Sequence, residues 1–324
     1  MKIQRFGGSA AFVLAGALAL SACGGQEAES GSGATGADGA AALSGAISSD
    51  GSSTVGPLTE SAAELFMGEN GGVQITVGTS GTGGGFKKFC EGQTQLSNAS
   101  RPIKDEEKAA CAANGIDFQE LVVANDAMTV VVNKENTFAK CLTVQELNTM
   151  WAPEATGKIM KWNQVNPAFP ADNLKLYGPG TDSGTFDYFT DEINGEEGAS
   201  RTDYEPSEDD NIIVQGVSGD KNALGYFGFT FFEENADKLN AVEIDNGEGC
   251  VAPSSETARD GSYAPLSRPL FIYVDKKAFA ENAALKSFVN FFIENDTAIA
   301  EAAQYIPLSD EQKKTAQDEL AALG

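Results

Sequence analysis

Three times along this chain, a short apolar strand is followed by a turn of glycine, serine and threonine and then by a helix-like stretch. The turns occupy residues 50–57, 78–85 and 178–185. Glycine lets the backbone of such a corner approach a ligand closely. The first N–H groups of the following helix lack internal acceptors, and the helix dipole is positive there. The corners therefore favour binding of phosphate-like anions.

Each corner taken alone also fits a simple helix cap, because serine and threonine are common N-cap residues. Three corners in one chain favour a shared site, in which several helix N-termini converge on one tetrahedral oxyanion. The second corner is not a P-loop, because Gly85 is followed by Phe86-Lys87-Lys88 rather than Gly-Lys-Ser/Thr. None of the serines lies in a G-x-S-x-G elbow.

The remaining pattern alternates strands with helices, which predicts an α/β fold with mixed or parallel sheets flanked by helices. The length of 324 residues suits about two domains. Four aromatic residues are expected in the cores: Trp151, Trp162, Tyr226 and Phe227. Periodicity predicts strands at 73–77, 121–123, 128–132, 174–177 and 270–274, and helices at 142–151, with Thr143 as N-cap, and 285–299.

Composition restricts the function. The chain has no histidine, which excludes Ser-His-Asp and Cys-His catalysis and histidine metal ligands. We therefore predict no catalytic residue, cofactor or metal, although chemistry based on carboxylates, lysine or a bound metal stays open. The net charge of -25 disfavours nucleic acid as a partner. It does not exclude an anion in a closed cleft, where local N–H dipoles dominate and distant charges are screened.

The first residues predict export. Lys2 and Arg5 precede an apolar run at 6–20 that is too short to span a bilayer, so 1–22 is interpreted as a signal peptide. The following Cys23 completes a sequence that resembles the bacterial lipobox, and lipid on Cys23 would anchor the protein at the outer face of the cytoplasmic membrane. A plain signal peptide is the alternative. Residues 23–45 are interpreted as a flexible tether.

Four cysteines remain after Cys23, an even number that predicts two disulfides in an oxidising compartment. Three pairings are open. We favour Cys90–Cys111 with Cys141–Cys250, because the first two are close in sequence. Four buried thiols are the alternative, and the absence of a C-x-x-C pair disfavours zinc.

Several stretches resemble the phosphate-binding proteins of bacterial phosphate ABC importers. They include SSDGSSTVGPLTE, VGTSGTGGGFKKF, LSNASRPIKDEE, GPGTDSGTFDYFTDEI and PLSRPLFIYV, in family order. The resemblance implies the two-lobe type II periplasmic-binding fold, hinged by crossover strands. One lobe would comprise 46–128 with 268–324, and the other 129–267. It also implies a monomer that captures inorganic phosphate between its lobes and delivers it to an ABC permease.

The family's phosphate loops fall on the three corners. The resemblance implies phosphate contacts from nine residues: Ser53, Thr54, Val55, Ser80, Gly81, Thr82, Ser183, Gly184 and Thr185.

Two departures from the family leave selectivity against sulfate open. Arg101 stands where better-known members have an aspartate that accepts the phosphate proton, and Pro179 stands where they have an arginine. Arg101 and Arg201 are the candidates to bind phosphate oxygens, and Asp182 is a candidate acceptor. Arg101 could instead be a surface residue and Arg201 a structural one. Alternative functions are a receptor for sulfate or molybdate, or a surface phosphate-handling enzyme or adhesin on the same fold.

Overall fold

The structure, a computed structural model, describes residues 43–181 and 183–324. The predictions for the signal peptide 1–22, for Cys23 and for the tether up to residue 42 lie outside the described residues, as does Asp182. Across the described ranges, no helix is both long and apolar enough to cross a membrane.

Strands and helices alternate through most of the chain. The strands are β1 (Ser44–Gly51), β2 (Gly72–Gly78), β3 (Leu96–Ala99), β4 (Phe118–Asn133), β5 (Cys141–Thr143), β6 (Lys175–Gly178), β7 (Glu205–Pro206), β8 (Ala223–Gly228), β9 (Leu239–Ala241), β10 (Glu243–Asp245), β11 (Cys250–Val251) and β12 (Ser267–Asp275). The helices are α1 (Gly56–Glu69), α2 (Gly81–Cys90), α3 (Asp105–Ala113), α4 (Val144–Trp151), α5 (Trp162–Val165), α6 (Gly184–Asn194), α7 (Asp210–Gly219), α8 (Phe229–Glu234), α9 (Ser255–Arg259), α10 (Lys276–Glu281), α11 (Ala283–Glu294), α12 (Asp296–Ala302) and α13 (Asp310–Ala321), with a 3-10 turn at Pro153–Ala155.

The main sheet has the strand order β2-β1-β3-β12-β4-β8-β6-β7, with β9 also paired to β4. β1 is parallel to β2 and β3, whereas β12 is antiparallel to β3 and β4. Strand β4 passes from one lobe to the other: residues 118–127 pair with β12, and 128–132 pair with β8. Two strands were predicted here, but the polar residues Asn125 and Asp126 continue the ladder with β12, so a single strand forms.

Each lobe has its own hydrophobic core, as expected for a mixed α/β fold of the two-lobe type II class. The core of the first lobe includes Phe66, Ile272 and Phe288. The core of the second lobe includes Trp151 and Trp162. The four predicted core aromatics are each fully buried: Trp151, Trp162, Tyr226 and Phe227.

Both favoured disulfides are present. Cys90–Cys111 joins α2 to α3, and Cys141–Cys250 joins β5 to β11 in a separate three-stranded sheet. The two covalent links therefore each lie within one lobe and do not join the two lobes.

Some predicted boundaries were wrong. The single helix at 285–299 is two helices, α11 and α12, because Asn295 ends the first one and its side-chain amide donates to Phe291 O at 2.9 Å. Strand β1 begins at Ser44, inside the predicted tether, and pairs there with Gly72.

The predicted cap of α4 is confirmed. Thr143 Oγ1 accepts from the backbone N–H of Glu146 at 3.1 Å, and the Glu146 carboxylate accepts from the N–H of Thr143. We expect Thr143→Ala to lower the free energy of unfolding by about 1 kcal/mol, because it removes one end of this capping box. Urea denaturation measures the change. Thr143→Ser keeps the hydroxyl and should stay near wild type, and equal losses in both variants would contradict the capping role.

Candidate anion-binding cleft

A cleft of about 490 Å³ lies between the first two glycine-rich corners and helix α6. Backbone and hydroxyl groups line one side, and carboxylates and a tyrosine line much of the other. Its lining comprises Ser52, Ser53, Thr54, Ser80, Gly81, Thr82, Gly83, Gly84, Ser100, Arg101, Lys104, Gly184, Asp187, Tyr188, Asp191, Glu192, Glu197 and Arg268.

The first corner, between β1 and α1, is held by Ser52. Its hydroxyl oxygen accepts from the backbone N–H groups of Thr54 and Val55 at 3.2 and 3.4 Å. The corner therefore presents Ser53 and the Thr54 hydroxyl to the cleft. Val55, predicted as a ligand residue, is fully buried in the core of the first lobe.

The second corner, between β2 and α2, supplies a continuous stretch of cleft wall from Ser80 to Gly84. Helix α2 begins at Gly81, earlier than the predicted start after Gly85, so its free N–H groups lie in the cleft wall. Thr82 Oγ1 accepts from the backbone N–H of Ser100 at 3.3 Å, which ties this corner to the loop after β3.

The third corner, between β6 and α6, comes from the second lobe and meets the first corner directly. A Cβ on Gly184 would lie 3.0 Å from Thr54 Oγ1 and 3.4 Å from Ser53 Oγ. A side chain here would require the first corner to move by a few tenths of an ångström, whereas glycine fits without a shift. Ser183 caps α6 by accepting from the N–H of Thr185 at 3.2 Å.

Arg268, at the start of β12, is a cation in the cleft lining, as are Arg101 and Lys104. Its Nη2 donates to Thr54 Oγ1 at 3.1 Å, and its Nε lies 3.4 Å from Asp126 Oδ2. The guanidinium carbon lies 3.3 Å from the ring centroid of Tyr188, on α6. Arg268 therefore contacts both lobes. Burial raises the pKa of Asp126, and Arg268 opposes that rise.

Arg101 also lines the cleft, but its fork is already engaged. Its two terminal nitrogens donate to the Glu107 carboxylate at 2.9 and 2.8 Å. Burial opposes ionisation of Glu107, but the hydrogen bonds from Arg101 and the Lys104 N–H, together with the positive charge of Arg101, outweigh it and lower the pKa of that carboxyl. Arg101 contributes positive charge to the cleft wall, but both of its terminal nitrogens donate to Glu107.

Arg201 does not lie in the cleft. Its side chain is 3% exposed and donates to the Met150 and Ile159 carbonyls at 2.9 and 3.0 Å. Its Nε and Nη2 donate to Asp203 at 2.6 and 2.9 Å. Through these bonds, the guanidinium holds the segment after α4 in place. Arg201 therefore has the structural role that the sequence left open as an alternative.

The opposing wall of the cleft is acidic. Burial and the charge of Glu197 raise the pKa of Asp187, and burial and the charge of Asp191 raise that of Glu192. An anion in the cleft is therefore favoured near the corners and Arg268 and disfavoured near this wall.

The cleft brings together most of the predicted site residues, from all three corners: Ser53, Thr54, Ser80, Gly81, Thr82, Arg101 and Gly184. The others lie elsewhere. Val55 and Arg201 are buried, Ser183 acts as a cap, and Thr185 faces a smaller cavity of about 120 Å³ beside Asp126. Sequence reasoning missed Arg268, although the stretch PLSRPLFIYV contains it.

Two α/β lobes, linked by β4 and β12 and enclosing a cleft of helix N-termini, define a solute-binding protein of the type II class. A family model described as a PBP superfamily domain matches residues 32–296. The chain is 51% identical over 265 residues to Protein SphX of Synechocystis sp., covering 82% of this chain and 79% of that protein.

It is also 40% identical over 321 residues to the phosphate-binding protein PstS of Staphylococcus saprophyticus, covering 98% of this chain and 94% of that protein. The crystal structure of a possible phosphate binding protein from Planctomyces limnophilus superposes with a TM-score of 0.82 at 46% identity. That match covers 87% of this chain and 99% of the other. The chain therefore belongs to the PBP superfamily and, within it, to the family of the PstS and SphX proteins.

Proposed function

We propose that this protein captures inorganic phosphate in the cleft between its lobes and delivers it to an ABC permease. The observation that carries the proposal is the meeting of the three corners. Ser53 and Thr54 of the first corner, Ser80 to Gly84 of the second and Gly184 of the third line one cleft together with Arg268. A small tetrahedral anion has enough lone pairs to accept from several of these donors at once.

The relatives support the same function. PstS of Staphylococcus saprophyticus is named a phosphate-binding protein, and the chain matches it over nearly its whole length. The PstS relatives are named as binding proteins, in keeping with the prediction of no enzymatic activity.

Release of the ligand requires the lobes to separate. We assign residues 46–128 and 268–324 to one lobe and 129–267 to the other, because β4 exchanges its partner strand after Ala127 and β12 begins at Ser267. Bending at these strands would open the cleft, as in other hinged binding proteins. Closure would return Gly184 to Thr54 and Ser53 and exclude water from the anion.

The proposed location of the protein rests on its N-terminal sequence. Lipid on Cys23 would hold a monomer at the outer face of the cytoplasmic membrane, and the segment up to residue 43 would let the folded part reach the permease. Metabolic labelling with a fatty acid tests this part: label should enter the wild type and not Cys23→Ser.

Phosphate should stabilise the folded protein and sulfate should not. At about one hundred times its Kd, a ligand adds about 2.7 kcal/mol to the free energy of unfolding. For a chain of this size, that corresponds to a rise in Tm of roughly 4 to 5 °C. The measurement is a thermal scan of the purified full chain with phosphate, sulfate or chloride at matched ionic strength. Equal rises with phosphate and sulfate would contradict the assignment.

A further inference from the structure

A buried carboxylate lies directly under the second corner. Asp50, at the end of β1, accepts from the hydroxyl of Ser80, and its Oδ1 lies 3.2 Å from the backbone nitrogen of Ser80. Its other oxygen accepts from Lys88 Nζ, on α2, at 2.6 Å. The ion pair between Asp50 and Lys88 therefore joins β1 to α2 next to Ser80.

Asp50 is ionised in this setting. Burial opposes ionisation, but the hydrogen bonds from Lys88 and Ser80, together with the positive charge of Lys88, outweigh it and lower the pKa of the Asp50 carboxyl. An ionised carboxylate has no proton to donate. In the hydrogen bond between Asp50 and Ser80, the donor must therefore be the Ser80 hydroxyl.

The geometry leaves little freedom to rearrange this bond. A Cβ on Gly78 would lie 2.2 Å from Asp50 Oδ2, and one on Gly84 would lie 2.7 Å from Ser80 Oγ. The two glycines thus allow the carboxylate and the hydroxyl to sit against the backbone of the corner. Ser80 itself is exposed and lines the cleft.

A serine hydroxyl has one proton and two lone pairs. Because Asp50 takes the proton of Ser80, the oxygen can offer only lone pairs to a ligand. We propose that Asp50 and Lys88 make Ser80 a hydrogen-bond acceptor in the cleft, so that the second corner selects an oxyanion that carries a proton. Asp50 and Lys88 are positioning residues here, and Ser80 is the group that contacts the ligand. This inference rests on the proposed phosphate site.

The consequence is discrimination between two dianions of the same charge and shape. HPO₄²⁻ donates its proton to Ser80 Oγ, whereas sulfate has no proton and places a lone pair against that oxygen. A site that leaves facing lone pairs unpaired rejects the wrong ligand more strongly than a difference in size would. In better-known members of the family, an aspartate accepts the phosphate proton, and Arg101 stands in its place here. Ser80 would then be the acceptor of that proton.

The test compares ligands that differ by that proton. Calorimetry at pH 8 gives the Kd of phosphate, sulfate and monofluorophosphate, a dianion of similar shape without a proton. In the wild type, phosphate should bind far more tightly than either of the others. In Ser80→Ala and in Asp50→Asn, the ratio of the sulfate Kd to the phosphate Kd should fall at least about tenfold, since one charged hydrogen bond is lost. The amide introduced by Asp50→Asn can donate to Ser80 Oγ and so free the hydroxyl proton.

Matched variants separate this role from a structural one. Ser80→Thr keeps a hydroxyl beside Asp50 and should retain the ratio, and Lys88→Met should reduce it by less than Asp50→Asn does. Asp187→Asn removes a cleft carboxylate that could accept the same proton, and it should leave the ratio unchanged.

The outcomes are distinguishable. If Ser80→Ala weakens phosphate and sulfate equally, Ser80 is a donor and the inference is overturned while the phosphate site stands. If Asp187→Asn alone collapses the ratio, the acceptor is Asp187 and the inference is likewise overturned. Failure of the wild type to bind phosphate would instead remove the proposed function itself.

Discussion

Arg268→Ala is expected to weaken phosphate binding at least about 100-fold. Arg268 is the cleft arginine that reaches both walls, with Nη2 3.1 Å from Thr54 Oγ1 and the guanidinium stacked on Tyr188. Hydrogen bonds from a charged group contribute about 1.5 to 3 kcal/mol each, and a planar fork can make two to one phosphate. Arg268→Lys keeps the charge but loses the fork, so an intermediate loss is expected. Calorimetry measures each Kd.

The same substitution affects stability through Asp126. Removing one partner of a buried ion pair costs about 3 kcal/mol when the other charge stays behind. Burial already raises the pKa of Asp126 and Arg268 opposes that rise, so Asp126 should take up a proton in the variant and limit this cost. Thermal scans therefore accompany the binding data.

The matched control is Arg201→Lys, which removes a buried fork outside the cleft. It should lower Tm because one ammonium cannot replace all the bonds that the guanidinium makes to Asp203 and two carbonyls, and it should leave the phosphate Kd unchanged. A larger loss of affinity in Arg201→Lys or Arg101→Lys than in Arg268→Lys would show that the wrong arginine has been assigned.

The local parts of this site could be predicted from the sequence. A strand, a turn of glycine and hydroxyl residues, and a helix are neighbours in the chain, so the corners at Ser53, Ser80 and Gly184 could be recognised one by one. The disulfide between Cys90 and Cys111 could also be proposed from closeness in sequence, and Thr143 as a cap from the residues that follow it.

The contacts between distant segments could not be predicted in the same way. Arg268 contacts Thr54, which lies 214 residues away in the chain. Nothing in the sequence of β12 distinguishes Arg268 from an ordinary surface arginine at the end of a strand. Arg201 looked equally suitable, but its nearest acceptors in the fold are Asp203 and two carbonyls. Asp50 appears in the sequence as one more residue of a turn, and only the approach of Lys88 reveals its role.

Gly184→Val is expected to weaken phosphate binding more than about 100-fold while the protein stays folded. Gly184 has no side chain where the third corner meets the first, and a Cβ there would lie 3.0 Å from Thr54 Oγ1 and 3.4 Å from the Thr54 nitrogen. A branched side chain would hold the two lobes apart, so that one small anion could not accept from both corners. Loss of the donors on one side should raise the Kd by more than about 100-fold, because several charged hydrogen bonds are lost together.

Gly184→Ala should weaken phosphate binding less than Gly184→Val does, because a single methyl requires a shift of only a few tenths of an ångström in Thr54. Gly68→Val is the matched control: Gly68 lies exposed in α1 with no atom within 4 Å of its added Cβ, so it should change Tm slightly and the Kd not at all. Small-angle scattering in saturating phosphate should show compaction for the wild type and the control but not for Gly184→Val. If Gly184→Val binds phosphate as the wild type does, the anion does not bridge the first and third corners, and the closed cleft would have to be held by Arg268 and Tyr188 instead.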